Sequence, residues 1–204
     1  MISRNSRFAW LALSVVTALL TVPGYGKDVG EPVLICGSLA GLEGMDAVKS
    51  RGVASQILRH AGVMLEWRNG TKACAAAGSG LILSASLVTP EGMNPGVMAS
   101  SKVYEGTHIL VFVDRLKKTF LPEQVAGVLG HVLAHEIVHM LQGIDRHSEH
   151  GLMKAVWRPE DYDEMLRTPL RVPDADLLLI QDGLKARRPL AVLRRSSSKS
   201  APRR

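Results

Sequence analysis

The stretch Leu129-Gly130-His131-Val132-Leu133-Ala134-His135-Glu136-Ile137-Val138-His139 decides the fold. It belongs to a longer segment, 122–141, whose apolar side chains would surround a helix on nearly every side. A helix that is apolar all round is buried. Pro122 suits the first position of such a helix, and Gly143 suits its end. The sequence therefore predicts a long buried helix that begins at Pro122 and stops at Gly143.

The same helix carries ionisable side chains, which burial makes costly unless they are paired or bound to a metal. His135 and His139 are four residues apart, so they share one helix face and can both reach a Zn²⁺ at about 2.0–2.1 Å. Glu136 is turned about 100° from His135, which suits contact with a metal-bound water better than metal ligation. This arrangement is typical of a general base in metal-assisted hydrolysis. The competing interpretation is that the histidines are ordinary core residues.

Two roles remain to be assigned, that of His131 and that of the third metal ligand. His131 stands one turn earlier on the same face, and because a catalytic zinc takes three protein ligands, we expect it to be a core or supporting group. The third ligand must come from beyond Gly143, which lets the chain turn sharply off the helix. We predict His147, with Asp145 and His150 as the alternatives.

Short apolar runs around this helix predict a small sheet. Strands are predicted over the ranges 32–36, 63–67, 80–88 and 108–113, and further helices over 47–61 and 174–186. The segment 89–106 is polar and rich in glycine, so we expect a long loop there. The order of the elements indicates an α+β fold, in which a small mixed sheet packs with the buried helix and a C-terminal helix.

The N-terminal residues 1–26 have the layout of a secretory signal peptide. Arg4 and Arg7 precede an apolar run over 8–22, and a proline and small residues follow it. The run is short for a membrane span, which needs about 20 residues, although an uncleaved signal anchor is the alternative. We therefore expect an exported protein, either periplasmic or secreted.

The positive charge is concentrated at the C-terminus. The segment 185–204 holds eight basic residues and no acidic ones, and the signal segment holds two more basic residues. The body, 27–184, is left with 15 basic and 19 acidic residues, so the net charge of +6 belongs to the ends. We expect the tail to be disordered and solvated. A weak contact with anionic lipid or polymer is the alternative, and no specific nucleic-acid partner is expected.

The two cysteines, Cys36 and Cys74, both lie in the predicted mature part of the chain. An oxidising compartment favours a single disulfide between them. Two buried free thiols are the alternative that the sequence leaves open.

The segment from the helix onward resembles the metzincin zinc proteases. Their pattern is H-E-x-x-H-x-x-G-x-x-H, followed by a turn that contains methionine, and Met153 comes six residues after His147 here. The chain departs from that pattern because Gly143 comes one position late and His147 comes two. Asp145 stands where an ungapped match places the third ligand.

A closer resemblance is to a group of short, exported, metzincin-like bacterial proteins. They share the strand Val111-Phe112-Val113-Asp114-Arg115, the helix at 129–139 and the segment at 147–157. The resemblance covers roughly 33–157 and implies a zincin fold for a domain at 27–184. We expect Asp114 and Arg115, at the end of the strand, to form a structural ion pair.

The resemblance also implies roles for the site residues. His135, His139 and His147 would bind Zn²⁺, Glu136 would act as general base, and Met153 would pack beneath the metal. Zincin substrates pair with an edge strand, and the strand at 108–113 is the candidate.

We predict a zinc-dependent peptidase that acts on peptide or protein substrates. The alternative is a non-catalytic zinc-binding protein, or an envelope-interaction protein with a vestigial protease site. Strand pairing makes few demands on side chains, so the sequence does not specify which peptide is cut. It does not specify the oligomeric state either.

Overall fold

The computed structural model describes residues 31–42, 44–77, 80–105 and 107–199. The predicted signal peptide, 1–26, lies outside the described residues. Within the described ranges, no helix combines the length and the apolar character that crossing a membrane requires.

A five-stranded mixed sheet forms one layer of the fold. Its strands are β1 (Val33–Ser38), β2 (Leu65–Asn69), β3 (Leu81–Ser86), β4 (Ala99–Ser101) and β5 (His108–Phe112). Their order in the sheet is β2-β1-β3-β5-β4, and every pairing is parallel except that of β4 with β5, which is antiparallel. The predicted small mixed sheet is therefore confirmed.

Six helices accompany the sheet in the part of the chain that the structure describes. They are α1 (Gly44–His60), α2 (Lys72–Ala77), α3 (Val113–Thr119), α4 (Pro122–Gln142), α5 (Pro159–Met165) and α6 (Asp174–Lys199). The predicted buried helix is α4, which begins at Pro122 and ends against Gly143 with a φ of 72°. Its side chains are buried from residue 128 to residue 142, so the prediction from its all-round apolar character is confirmed.

A glycine in the deciding stretch allows α4 to pack closely against α1. A Cβ atom at Gly130 would lie 2.4 Å from Cβ of Val53 and 3.0 Å from the backbone oxygen of Ser50. Any larger residue would push the two helices apart. This packing holds the helix of the histidines against the rest of the core.

The prediction that the strand at 108–113 forms an edge of the sheet is wrong. Strand β5 is covered by β4, whose Ala99 pairs with Val111 and whose Ser101 pairs with Ile109. The edge of the sheet on this side therefore belongs to β4, which lies inside the segment 89–106 that was expected to be a loop. Three small residues, alanine and two serines, have weak strand propensity, so β4 forms through its pairing with β5.

The C-terminal helix is longer than predicted. Helix α6 continues to Lys199, so helical backbone covers most of the segment 185–204 that was expected to be disordered. The run Leu190-Ala191-Val192-Leu193-Arg194-Arg195 is rich in good helix formers, which an argument from charge alone overlooks. Near the middle of α6, a Cβ at Gly183 would lie 1.8 Å from the backbone oxygen of Leu141, so α6 packs directly on α4.

The two cysteines form a disulfide. It joins Cys36 of β1 to Cys74 of α2, with the Cα atoms 5.8 Å apart, and both residues are buried. Of the two alternatives left open by the sequence, the structure contains the disulfide.

Candidate metal centre

Three histidines converge at the C-terminal end of α4. His135 and His139 project from successive turns of the helix and are buried, whereas His147 comes from the segment after it and is exposed. The Nε2 atom of His139 lies 3.0 Å from Nε2 of His135 and 3.3 Å from Nε2 of His147. The potential ligand atoms all lie within 4.8 Å of one another, so the group is positioned to bind a metal ion.

The hydrogen bonds of the two buried rings determine which nitrogen faces the cluster. Nδ1 of His135 lies 2.9 Å from the backbone oxygen of Leu152, and Nδ1 of His139 lies 3.2 Å from that of Ile144. A carbonyl oxygen only accepts, so both Nδ1 atoms carry the proton and both Nε2 atoms present lone pairs.

Lone pairs that face one another at such short distances require a cation between them. Protonation does not provide it, because burial and the neighbouring His139 lower the pKa of His135 to about 3. Burial also lowers the pKa of His139. A tetrahedral zinc ion with Zn–N bonds of about 2.0–2.1 Å would hold its nitrogens roughly 3.3 Å apart. The donor set and its spacing therefore fit a zinc ion.

The structure brings one of the three candidates for the third ligand together with His135 and His139. Within the described residues, the cluster contains His147, and neither Asp145 nor His150 belongs to it. Asp145 instead acts electrostatically on Glu136.

Glu136 is buried beside the free edge of the sheet. Burial raises its pKa to about 7, the charge of Asp145 contributes in the same direction, and hydrogen bonds from the hydroxyl and backbone of Ser101 partly oppose the shift. Ser101 is the last residue of β4, so the carboxyl group lies between the helix of the histidines and the edge strand. A carboxyl group with a pKa near neutrality is suited to accept and return a proton.

The segment around Met153 supports the cluster from the other side. The backbone oxygen of Leu152 accepts from Nδ1 of His135 and from Nε1 of Trp157, the latter at 3.2 Å. The Trp157 ring meets the His135 ring edge-on, with centroids 5.5 Å apart. Met153 is completely buried, and its backbone oxygen accepts from the Ser148 amide at 2.7 Å. Sequence reasoning assigned no role to Trp157.

His131 is a core residue, as expected. Its Nδ1 lies 2.8 Å from the backbone oxygen of Gly127, and its Nε2 accepts from the Leu170 amide at 3.1 Å. Both ring nitrogens are therefore occupied, and no lone pair is left for a metal.

The expected ion pair between Asp114 and Arg115 is wrong; among the described residues no salt bridge joins them. Asp114 accepts from the amide and hydroxyl of Thr89, at 3.0 and 2.8 Å. Arg115 donates to three backbone oxygens of the loop before β4, those of Asn94 at 2.6 Å, Val97 at 2.7 Å and Met93 at 3.0 Å. Adjacent residues on a helix point in different directions, so each finds its own partner on the loop.

A small cleft lies at the end of β4. It has a volume of about 250 Å³ and is lined by Asp145 and by the residues of β4 and its continuation, Ser101, Lys102, Val103, Tyr104 and Glu105. A larger groove of about 650 Å³ lies between α1 and α4, and none of the three histidines lines it. The smaller cleft is not lined by the histidines either, but two of its lining residues, Ser101 and Asp145, act on Glu136.

No protein-family model matches the sequence, and neither does any curated protein. Among solved structures, the chain is similar to archaemetzincin from Methanopyrus kandleri, with 16% sequence identity and a TM-score of 0.53. The similarity covers 80% of this chain and 99% of that chain. The fold is that of archaemetzincin. This likeness confirms the predicted zincin-like architecture.

Proposed function

We propose that this protein is a zinc-dependent peptidase that hydrolyses peptide bonds in extended segments of peptides or proteins. The observation that carries the proposal is the convergence of three Nε2 atoms beside a buried carboxyl group. His135, His139 and His147 are the proposed ligands, and Glu136 is the proposed general base. The archaemetzincin fold supports the proposal.

Different groups of the site would carry out different parts of the reaction. When bound, zinc supplies a Lewis acid that acidifies a water molecule and polarises a carbonyl group. Glu136 accepts the proton of the attacking water and delivers it to the leaving amine. Its raised pKa favours the second transfer, because a carboxyl group that holds its proton near pH 7 can also return it. The carbonyl oxygens of Leu152 and Ile144 keep the Nε2 atoms directed at the cluster.

The free edge of β4 is the proposed binding site for substrate. The residues that flank β4 bond to β5, through the Met98 oxygen and the Lys102 amide, so the backbone groups of Ala99 and Ser101 point away from β5. Because the Ser101 amide already donates to Glu136, an extended peptide could add to this edge through the backbone groups of Ala99 and the Ser101 oxygen. It would then run past Ser101, which contacts Glu136.

Export from the cytoplasm is part of the proposal. The disulfide between Cys36 and Cys74 supports it, because such bonds persist mainly in oxidising compartments.

Cleavage of a mixed peptide library tests the proposed activity. The purified protein is incubated with the library, with and without a chelator, and after zinc is restored to the chelated sample. Mass spectrometry should detect products that disappear with the chelator and return with zinc. Zinc-loaded protein that cuts no peptide would contradict the proposal.

A further inference from the structure

His147 is the one cluster member outside α4, and its neighbours in the chain are anchored in the interior. Nη1 of Arg146 donates to Oδ1 of Asp176 at 2.7 Å, and the hydroxyl of Ser148 donates to Oδ2 at 2.5 Å. Asp176 lies in the first turn of α6 and is completely buried. One carboxylate therefore holds the residues on both sides of an exposed histidine.

The same carboxylate also reaches the helix from which the segment departs. Nε2 of Gln142, the last residue of α4, donates to Oδ1 of Asp176 at 2.9 Å. Asp176 thus joins the start of the segment to the residues around His147. Hydrogen bonds to an ionised carboxylate are stronger than those between neutral groups, and a buried carboxylate needs such partners.

From this network we infer that Asp176 is a positioning residue for His147, so that metal affinity depends on the C-terminal helix. The inference rests on the proposed function only in taking the three histidines as metal ligands. With the anchor, the His147 ring is held near the other two before a metal arrives. Without it, the segment is held more loosely, through the Ile144 oxygen and the Ser148 amide, and the additional chain entropy lost on metal binding weakens the complex. Loss of such a supporting group typically costs roughly 10–100-fold in metal affinity.

The test compares zinc affinities of the full chain by competition with a chelator of known affinity. Asp176→Asn keeps the size of the side chain but loses its charge, and it should bind zinc roughly 10–100-fold more weakly than the parent. Arg187→Met is the matched control, because Arg187 joins α6 to α4 through the Met140 oxygen and not through the His147 segment. Its zinc affinity should stay within about twofold of the parent, which is well below that range.

A double-mutant cycle separates positioning from general loss of stability. In a His147→Ala background, Asp176→Asn should cause no further loss of zinc affinity, since the residue it positions is gone. An equal loss in both backgrounds, or an unchanged affinity of Asp176→Asn alone, would overturn the inference. If Asp176→Asn does not fold, Ser148→Ala replaces it with the same expectation, because Ser148 is one of the two donors beside His147.

The outcomes also separate this inference from the proposed function. A parent protein that binds zinc and shows the predicted cycle, but cuts no peptide, would support the positioning role and contradict the peptidase. A parent that binds no zinc would overturn both.

Discussion

At the scale of single residues, His131 and His135 lie on the same face of α4, but their buried ring nitrogens have different kinds of partner. His131 places one nitrogen on a carbonyl oxygen and the other on an amide, whereas His135 leaves Nε2 facing another lone pair. Spacing predicted that His135 and His139 lie together, because positions i and i+4 are neighbours on one face of a helix. Only the fold shows that His131 meets Leu170, which lies 39 residues away.

The acid stability of the metal-free protein should report the burial of His131. Burial lowers its pKa in the native state, while the unfolded chain takes up a proton near pH 6.5. Below that pH the unfolded state therefore binds more protons, and this residue's contribution to stability is lost as the pH falls. Urea unfolding of parent and His131→Asn from pH 7.5 to 5 should give a steeper decline for the parent, by up to about 1.4 kcal/mol per pH unit. Parallel declines would contradict this assignment.

Glu136→Gln should bind zinc as the parent does and lose peptide hydrolysis. The amide has nearly the same shape but cannot accept a proton, so activity should fall by roughly 10²–10⁴-fold. Zinc content and cleavage of a library-derived peptide are measured on the same preparation. A variant that cuts as fast as the parent would show that Glu136 is not the base.

The third ligand has its own test. His147→Ala should weaken zinc binding most, followed by His150→Ala, with Asp145→Ala close to the parent, because only His147 belongs to the cluster. Competition titration gives the order. If Asp145→Ala or His150→Ala lost more affinity than His147→Ala, the two-residue departure from the metzincin spacing would have been interpreted wrongly.

At the scale of elements, a helix or strand could be predicted when the residues that determine it lie within its own stretch of sequence. Helix α4 carries its pattern within itself, in apolar residues all round and in suitable terminal residues, and its bounds were predicted almost completely. Strand β4 has only three small residues, and its position depends on pairing with β5 and on a loop anchored from α3. No local pattern encodes these contacts. The same holds for Asp176, whose partners Arg146 and Ser148 lie 30 and 28 residues away.

Arg115 should therefore affect substrate binding without touching the metal site. Its guanidinium holds three backbone oxygens of the loop that leads into β4. Arg115→Met should destabilise the ordered loop by about 1–2 kcal/mol and raise KM by roughly 5–30-fold, with a smaller change in kcat. Zinc affinity should match the parent. Lys118→Met, an exposed position on the same helix, is the control. A loss of zinc from Arg115→Met, or an unchanged KM, would argue against this role.

At the scale of the whole molecule, the C-terminal helix has two parts with different consequences. Its first part holds the His147 segment through Asp176 and packs on α4 at Gly183 and Arg187. Its second part carries much of the positive charge, which the sequence analysis assigned to a disordered tail. Charge composition predicted where the basic residues are, but helix propensity and packing decide where the helix ends.

Two truncations test this division. Deleting 189–204 keeps Arg187 and should leave zinc affinity and the melting temperature close to those of the full chain. Deleting 185–204 also removes Arg187, whose guanidinium donates to the Met140 oxygen and whose burial lowers its pKa. Losing a charged hydrogen bond of about 1.5–3 kcal/mol should lower the melting temperature by a further few degrees. Calorimetry of the two truncations decides the matter. If the shorter deletion already lowered the melting temperature as much as the longer one, the stabilising contacts of α6 would extend past Arg187, and the basic segment would be part of the folded domain.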